Sequence, residues 1–396
     1  MAYNFNEHID RRGTNSIKWE YGPVAEKRTE MPDLLPMWVA DMDLPSPEPV
    51  RRALRERAEH PIYGYTMVPD SLLQAFRSWH EGRHGTRIAP EEIISVTGVM
   101  PAVEAAVAAF TEPGDGIVVQ TPVYFPFYNA ISKQGRRLLR NPLREEQGGY
   151  RMDFDGLRRA LDGAAKMLLL SSPHNPVGRV WTREELATVG EICRERGVFI
   201  LSDEIHCDVL LNGHRFTSIL EVDPETRKES MVAVSPSKTF NIAGTSVAQV
   251  VLPDEERRHA FKRAVMARGI WMPSLFGVTA TEAAYAEGEE WLDELLVYLG
   301  ENDRVLREEL AARLPEVRVA PLEGTFIAWL DFRAVLEARG RSHAELRRAV
   351  ENAGLWPSDG PQFGDEGEGF QRLNIALPRD LLREALSRLE RAIAAL

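Results

Sequence analysis

Four apolar runs constrain the fold of this chain more than any other feature: KMLLLSSP (Lys166–Pro173), VFILSDE (Val198–Glu204), MVAVS (Met231–Ser235) and AQVVL (Ala248–Leu252). A strand with one face in water alternates apolar and polar side chains. A run that is apolar at nearly every position needs cover on both faces. IISV (Ile93–Val96) and IVVQ (Ile117–Gln120) read the same way. Helical patterns alternate with these runs, over Pro49–Glu59, Asp70–His84, Pro101–Thr111 and Phe125–Lys133. Another, TREELATVGEICRERG, opens on a capping box from Thr182 to Glu185 and stops at Gly197. Buried strands separated by helices predict an α/β domain over about residues 48–285.

The last third has a different rhythm. A long helix over Glu289–Leu314 leads to FIAWLDF (Phe326–Phe332), a helix at His343–Asn352, the run RLNIA (Arg372–Ala376) and a closing helix at Arg379–Ala395. We expect a smaller α+β unit over residues 286–396, with the long helix as its hinge. Residues 1–47 are irregular and rich in Pro, Gly and Asp, and must lie against the rest of the protein to be ordered.

The 396 residues suffice for two compact domains. With 60 acidic against 48 basic side chains the net charge is −12, which argues against nucleic acid or an anionic membrane as the main partner. Two cysteines, Cys193 and Cys207, make a disulfide framework implausible and a reducing cytoplasm the expected compartment. MAYNFNEHIDRRGT lacks the apolar stretch of a signal peptide, and no window reads as a membrane span. We read no HExxH run, no CxxC pair, no GxxxxGK[ST] and no GxSxG, and the nine histidines as scattered, so no metal site is expected.

Ligands of open α/β sheets bind at the carboxyl ends of the strands. After KMLLL comes SSPHNPVGR, after VFILS comes Asp203, after MVAV comes SPSK with Lys238, and after IISV comes TGVMP. Lys238 sits among hydroxyl and apolar neighbours, where lost hydration would lower its pKa and make it a Schiff-base former or general base; the alternative is a lysine snorkelling from a loop. Asp203 could cap a helix, or hold a pyridine nitrogen protonated as proteins do for pyridoxal 5′-phosphate (PLP). Asn175 could start a turn before Pro176, or donate to a phenolate. The Thr97–Met100 turn, with Pro101 read as the first helical residue, could offer backbone N–H groups to a phosphate.

The ordered set TGVMP, TPVYFPFY, SSPHNPVGRVW, SDEIH, SPSKTFNIAG and RLNIA resembles the PLP-dependent fold-type I enzymes, the aspartate-aminotransferase-like superfamily. DRRGTNSIKWE, MWVADMDLPSP, YGYT and SDEIHCD look like its MalY/PatB-type cystathionine β-lyase branch. The resemblance implies a large domain with a mostly parallel seven-stranded sheet between helices. A smaller α+β domain would be built from the C-terminal third and the N-terminal segment.

It also implies roles. Lys238 would carry the cofactor and act as the catalytic base. Asp203 would face the pyridine nitrogen, Asn175 the ring oxygen, and Tyr124 would stack on the ring. Val99 and Met100 amides, with Ser235 and Ser237, would bind phosphate, and His206 would contact the cofactor where many aminotransferases carry tyrosine. Tyr65 would reach the phosphate of a neighbouring subunit, making a homodimer with shared sites. Arg372 would clamp the substrate carboxylate, with Asn175 and Tyr124 beside it. The activity implied is β-elimination from cysteine S-conjugates. An aminotransferase using the same residues is the rival, and a regulatory binding role on the same scaffold is a second. The leaving-group pocket is expected from Trp38–Asp43, Tyr63, the 271–276 loop and the partner subunit.

Overall fold

The computed structural model describes residues 3–396; Met1 and Ala2, the start of the expected 1–47 segment, lie outside the described residues. Within these residues seven strands form one sheet in the order Ile93–Val96, Ala248–Val251, Ser230–Val234, Phe199–Asp203, Ala165–Ser171, Gly116–Val119, Arg137–Arg140. Ala248–Val251 runs antiparallel to both its neighbours, and the other pairings are parallel.

Side-chain alternation explains why the strands are apolar throughout. Met167, Leu169, Leu201, Met231 and Ala233 enter one core, with Ala102, Val103 and Ala106 of the Val99–Phe110 helix and Phe261 of the Glu255–Ala267 helix. Leu168, Leu170, Ile200, Val232 and Val234 enter the other, with Leu186, Val189 and Ile192 of the Arg183–Arg196 helix. A period of two thus divides each run between two hydrophobic layers. The capping box appears as expected, with Glu185 N–H donating to Thr182 Oγ1 at 3.2 Å, and Gly197 ends that helix at φ +62°.

The Val99–Phe110 helix starts earlier than its sequence suggests. Gly98 at φ +148° is the N-cap, so Val99 rather than Pro101 is the first helical residue. Arg137–Arg140 and the Arg144–Glu146/Gly149–Arg151 hairpin were not expected as strands. They are charged and half-exposed, so they carry no apolar run.

The C-terminal third forms a four-stranded antiparallel sheet in the order Arg318–Val319, Ile327–Asp331, Phe370–Asn374, Ser358–Asp359. The Glu289–Arg313 helix is tied to it by buried Asn302, whose Nδ2 donates to the carbonyls of Ile375 at 2.9 Å and Leu377 at 3.0 Å. The N-terminal segment is more regular than expected, with helices at Ile17–Glu20 and Pro23–Glu30. Leu35–Pro36 then pairs parallel with Leu355–Trp356. From there residues 37–44 run as a strap between the two sheets. Asn374 Nδ2 donates to Val39 O at 2.8 Å and Asp41 O at 2.5 Å, and Asn241 Nδ2 donates to Met42 O at 3.0 Å and Leu44 O at 2.8 Å. Buried Asp43 takes Lys18 Nζ at 2.6 Å, Arg11 Nη1 at 2.8 Å and Trp19 Nε1 at 2.9 Å. Among the described residues no helix is long and apolar enough to cross a membrane.

Candidate active site

The strap, the carboxyl ends of the large-sheet strands and the Phe370–Asn374 strand enclose a cavity of about 290 Å³. It brings together Val99, Met100, Tyr124, Asn175, Asp203, His206, Ser237, Lys238 and Arg372. These residues lie as much as 273 positions apart in the chain.

Lys238 stands in a single helical turn, Pro236–Thr239, directly after the Ser230–Val234 strand. Its Nζ donates to Ala40 O of the strap at 2.6 Å. Burial pulls the ammonium down to about 8, against the opposing charges of Asp41 and Asp203 and with the help of Arg372. Asp203 ends its strand with Oδ1 accepting from Ile205 N–H at 3.1 Å. Burial raises its carboxyl to about 7 despite that bond and the nearby Lys238. A cation brought against Asp203 would therefore hold it ionised.

Arg372 lies opposite Trp329 in the small sheet and is buried. Its Nη1 donates to Asn175 Oδ1 at 3.0 Å, and its Nη2 donates to Trp38 O at 2.6 Å and Ser358 Oγ at 3.0 Å. Its Nε has no partner, and its guanidinium lies 4.7 Å from the ring centroid of Phe363. Among the described residues no carboxylate pairs with it. Burial lowers its pKa to about 10. A buried guanidinium without an acid is a site for an anionic ligand. The bond from Arg372 also fixes Asn175 with its carbonyl turned to the guanidinium, leaving Nδ2 to donate elsewhere.

His206 is buried with Nδ1 unpartnered, and burial pushes its pKa to about 3, so it is neutral. The first-turn amides of Val99 and Met100 have no intrahelical acceptor, and both residues line the cavity with Ser237.

Ser235, expected at the phosphate, does not line the cavity. Ser235 is consumed as a cap: its Oγ donates to Val247 O at 2.6 Å and accepts from Ser237 N–H at 3.2 Å. Tyr65, expected at the phosphate of a neighbouring subunit rather than in this cavity, is 97% exposed in the irregular segment after the Glu48–Glu59 helix. Of the residues expected at the leaving group, Trp38, Val39 and Ala40 line the cavity, whereas Asp41, Met42, Asp43, Tyr63 and the 271–276 loop do not; the Tyr63 ring lies 5.7 Å from that of Phe276. Conversely, Phe125, Ser171, Ile205 and Ser358 line the cavity without having been singled out, since nothing local in their sequence marks them.

The expectation of scattered histidines with no HExxH run fails at one place. HEGRH, His80–His84, is an H-E-x-x-H run on the Asp70–His84 helix. It brings His80 and His84 beside Cys207, one ligand atom of each within 4.8 Å of the others. Glu81 lies on the exposed side, bonded to Arg87, and His84 Nε2 is bonded to Asp208. A hydrolytic metal centre needs an open position with its acid facing it, and this buried trio has neither.

The family aminotransferase class I and II matches residues 33–389. The chain belongs to that family. It is 41% identical to cystathionine beta-lyase PatB of Bacillus subtilis, over 99% of this chain and 100% of that one. It is 32% identical to protein MalY of Escherichia coli, over 99% of each. Among solved structures it resembles cystalysin of Treponema denticola, which contains PLP, with TM-score 0.94 and 33% identity over the whole of both chains. It also resembles the PLP-bound C–S lyase of Staphylococcus hominis, with TM-score 0.92 and 33% identity over 99% of each.

The cavity of this family member fits PLP on its own chemistry. It offers a desolvated amine, a buried acid for a ring nitrogen, an amide, and free helix-start N–H groups for a phosphate. In the cofactor-free protein, acylation of Lys238 followed by peptide mass spectrometry is expected to show a reactivity midpoint near pH 8, since only the neutral amine reacts. A midpoint near 10.5, the ordinary lysine value, would contradict its burial.

Proposed function

We propose that this protein is a PLP-dependent carbon–sulfur lyase that splits cysteine S-conjugates, cystathionine among them, into a thiol, pyruvate and ammonia. The observation that carries the reading is the unpaired guanidinium of Arg372 in one cavity with the desolvated amine of Lys238 and the carboxyl of Asp203. The relatives named for cystathionine β-lyase and C–S lyase activity support it.

When bound, PLP supplies the electron sink for charge left at the substrate Cα. Lys238 would hold the cofactor, Asp203 would keep a proton on the ring nitrogen, and Asn175 Nδ2 would donate to the ring oxygen. Tyr124 would cover the ring, while Val99, Met100 and Ser237 would hold the phosphate.

The residues of the chain do the rest. Arg372 binds the α-carboxylate and Asn175 keeps its fork in place. The Lys238 amine, set free when the substrate's amino group takes its place and neutral over a useful fraction near its lowered pKa, takes the Cα proton. The Cβ–S bond then breaks and the sulfur leaves with a proton from Lys238 or water. Addition of one water completes pyruvate and ammonia. Trp38, Val39 and Ala40 close the cavity from the strap side and limit water there.

The active unit we propose is a homodimer with shared sites. Ile62, Tyr63, Tyr65 and Met67 form an exposed apolar stretch, and Trp271 and Phe276 are also partly exposed, which suits a second copy of this chain. A single-chain mass by light scattering would overturn it. Both cysteines are free and buried, which supports a cytoplasmic setting. The domain division we propose remains 1–47, 48–285 and 286–396.

Purified protein with cystathionine or another S-substituted cysteine is expected to release pyruvate with no 2-oxo acid present; turnover only with such an acceptor would favour the aminotransferase reading. Arg372→Lys is expected to lower kcat/KM on the order of 10- to 100-fold, because a point charge cannot reproduce the fork. A wild-type value would remove Arg372 from the substrate site.

A further inference from the structure

Lys238 stands on a helix of one turn, Pro236–Thr239, too short to hold its own orientation. Its start is fixed by the Ser235 cap. Its end is fixed by something the mechanism has not used. Thr239, the next residue, donates its hydroxyl to Asp208 Oδ2 at 2.8 Å. The other oxygen, Oδ1, accepts from Trp79 Nε1 at 2.9 Å and His84 Nε2 at 2.7 Å. Thr239 and Asp208 are both buried, and neither lines the cavity.

One carboxylate thus joins three elements: the Asp70–His84 helix through Trp79 and His84, the turn of Lys238 through Thr239, and its own loop. That loop follows the strand ending at Asp203, five positions before Asp208, and carries His206 two positions before it, both on the cavity. A buried carboxylate persists only where donors satisfy it. The bonds from His84 and Thr239, with the neighbouring imidazoles, hold Asp208 well below the usual carboxylate range against its burial. Glu204, the other buried acid of the loop, bonds Ser202, Ser218 and Ile219 and does not reach the Lys238 turn.

We propose that Asp208, acting through the Thr239 hydroxyl, is a positioning residue that sets Lys238 against Asp203 across the cavity. A misplacement of about 1 Å in such a pair costs on the order of 100-fold in rate. The inference rests on Lys238 being the cofactor lysine. It remains separable, because pyruvate release by the unaltered protein tests that reading alone.

The experiment replaces only the hydroxyl, in the PLP-loaded full chain at a temperature below each variant's Tm. Thr239→Val is expected to lower kcat roughly 10- to 100-fold with KM within about twofold. It should also change the visible absorption band of the bound cofactor. Thr239→Ser keeps the hydroxyl and is expected to restore both. A merely structural bond would lower Tm and leave kcat and the band unchanged. The proposal is overturned if Thr239→Val keeps kcat and the band, or if Thr239→Ser is as impaired as Thr239→Val. Should Thr239→Val not fold, Thr239→Ala reads the same two quantities against Thr239→Ser.

Discussion

Three ionisable side chains, Lys238, Asp203 and Arg372, share one buried cavity, and the structure around them follows from the cost of keeping them there. Removing a charge from water is expensive unless a partner compensates it. Burial pushes each group toward its neutral form: the amine down to about 8, the carboxyl up to about 7, the guanidinium down to about 10. Compensation inside the protein is partial, because Arg372 bonds only to neutral acceptors and Lys238 to a carbonyl. In the function we propose, the missing charges are those a ligand would bring: a carboxylate for Arg372 and a protonated ring for Asp203. Binding and chemistry are therefore drawn from the same electrostatic deficit.

Part of that compensation comes from the strap. The carbonyls of Trp38 and Ala40 are presented to Arg372 and Lys238 because residues 37–44 are held on both sides, by Asn374 and by Asn241. The buried Asp43–Lys18–Arg11 network anchors the same segment further along. A stretch without strand or helix is thereby held as firmly as the sheets it spans, and it links the large sheet to the small one at the site. Asp208 completes the frame beneath the Lys238 turn.

The seven-stranded sheet was largely legible because its central strands are buried on both faces, so Met167–Leu170 and Val232–Val234 read as continuous apolar runs. That Lys238, Asp203 and Asn175 meet at one cavity was legible for a related reason: each follows such a run at a strand end. Arg137–Arg140 was not, since charged edge residues carry no periodic signal. Pro101 suggested a helix start, yet Gly98 at φ +148° sets it two residues earlier. The hydroxyl of Ser235 looked available, but a local cap uses it. Ile205 and Ser358 belong to the cavity only through tertiary packing, which no single stretch of sequence encodes. HEGRH matches a metal motif in spacing alone, and its surroundings form a buried polar cluster bonded to Asp208.

The most direct check is to reduce the PLP-loaded protein with borohydride and locate the pyridoxyl group by peptide mass spectrometry. The group should lie on Lys238 in stoichiometric amount. A pyridoxyl group on any other lysine, or an unmodified Lys238 in protein that retains the cofactor, would contradict the assignment of this cavity.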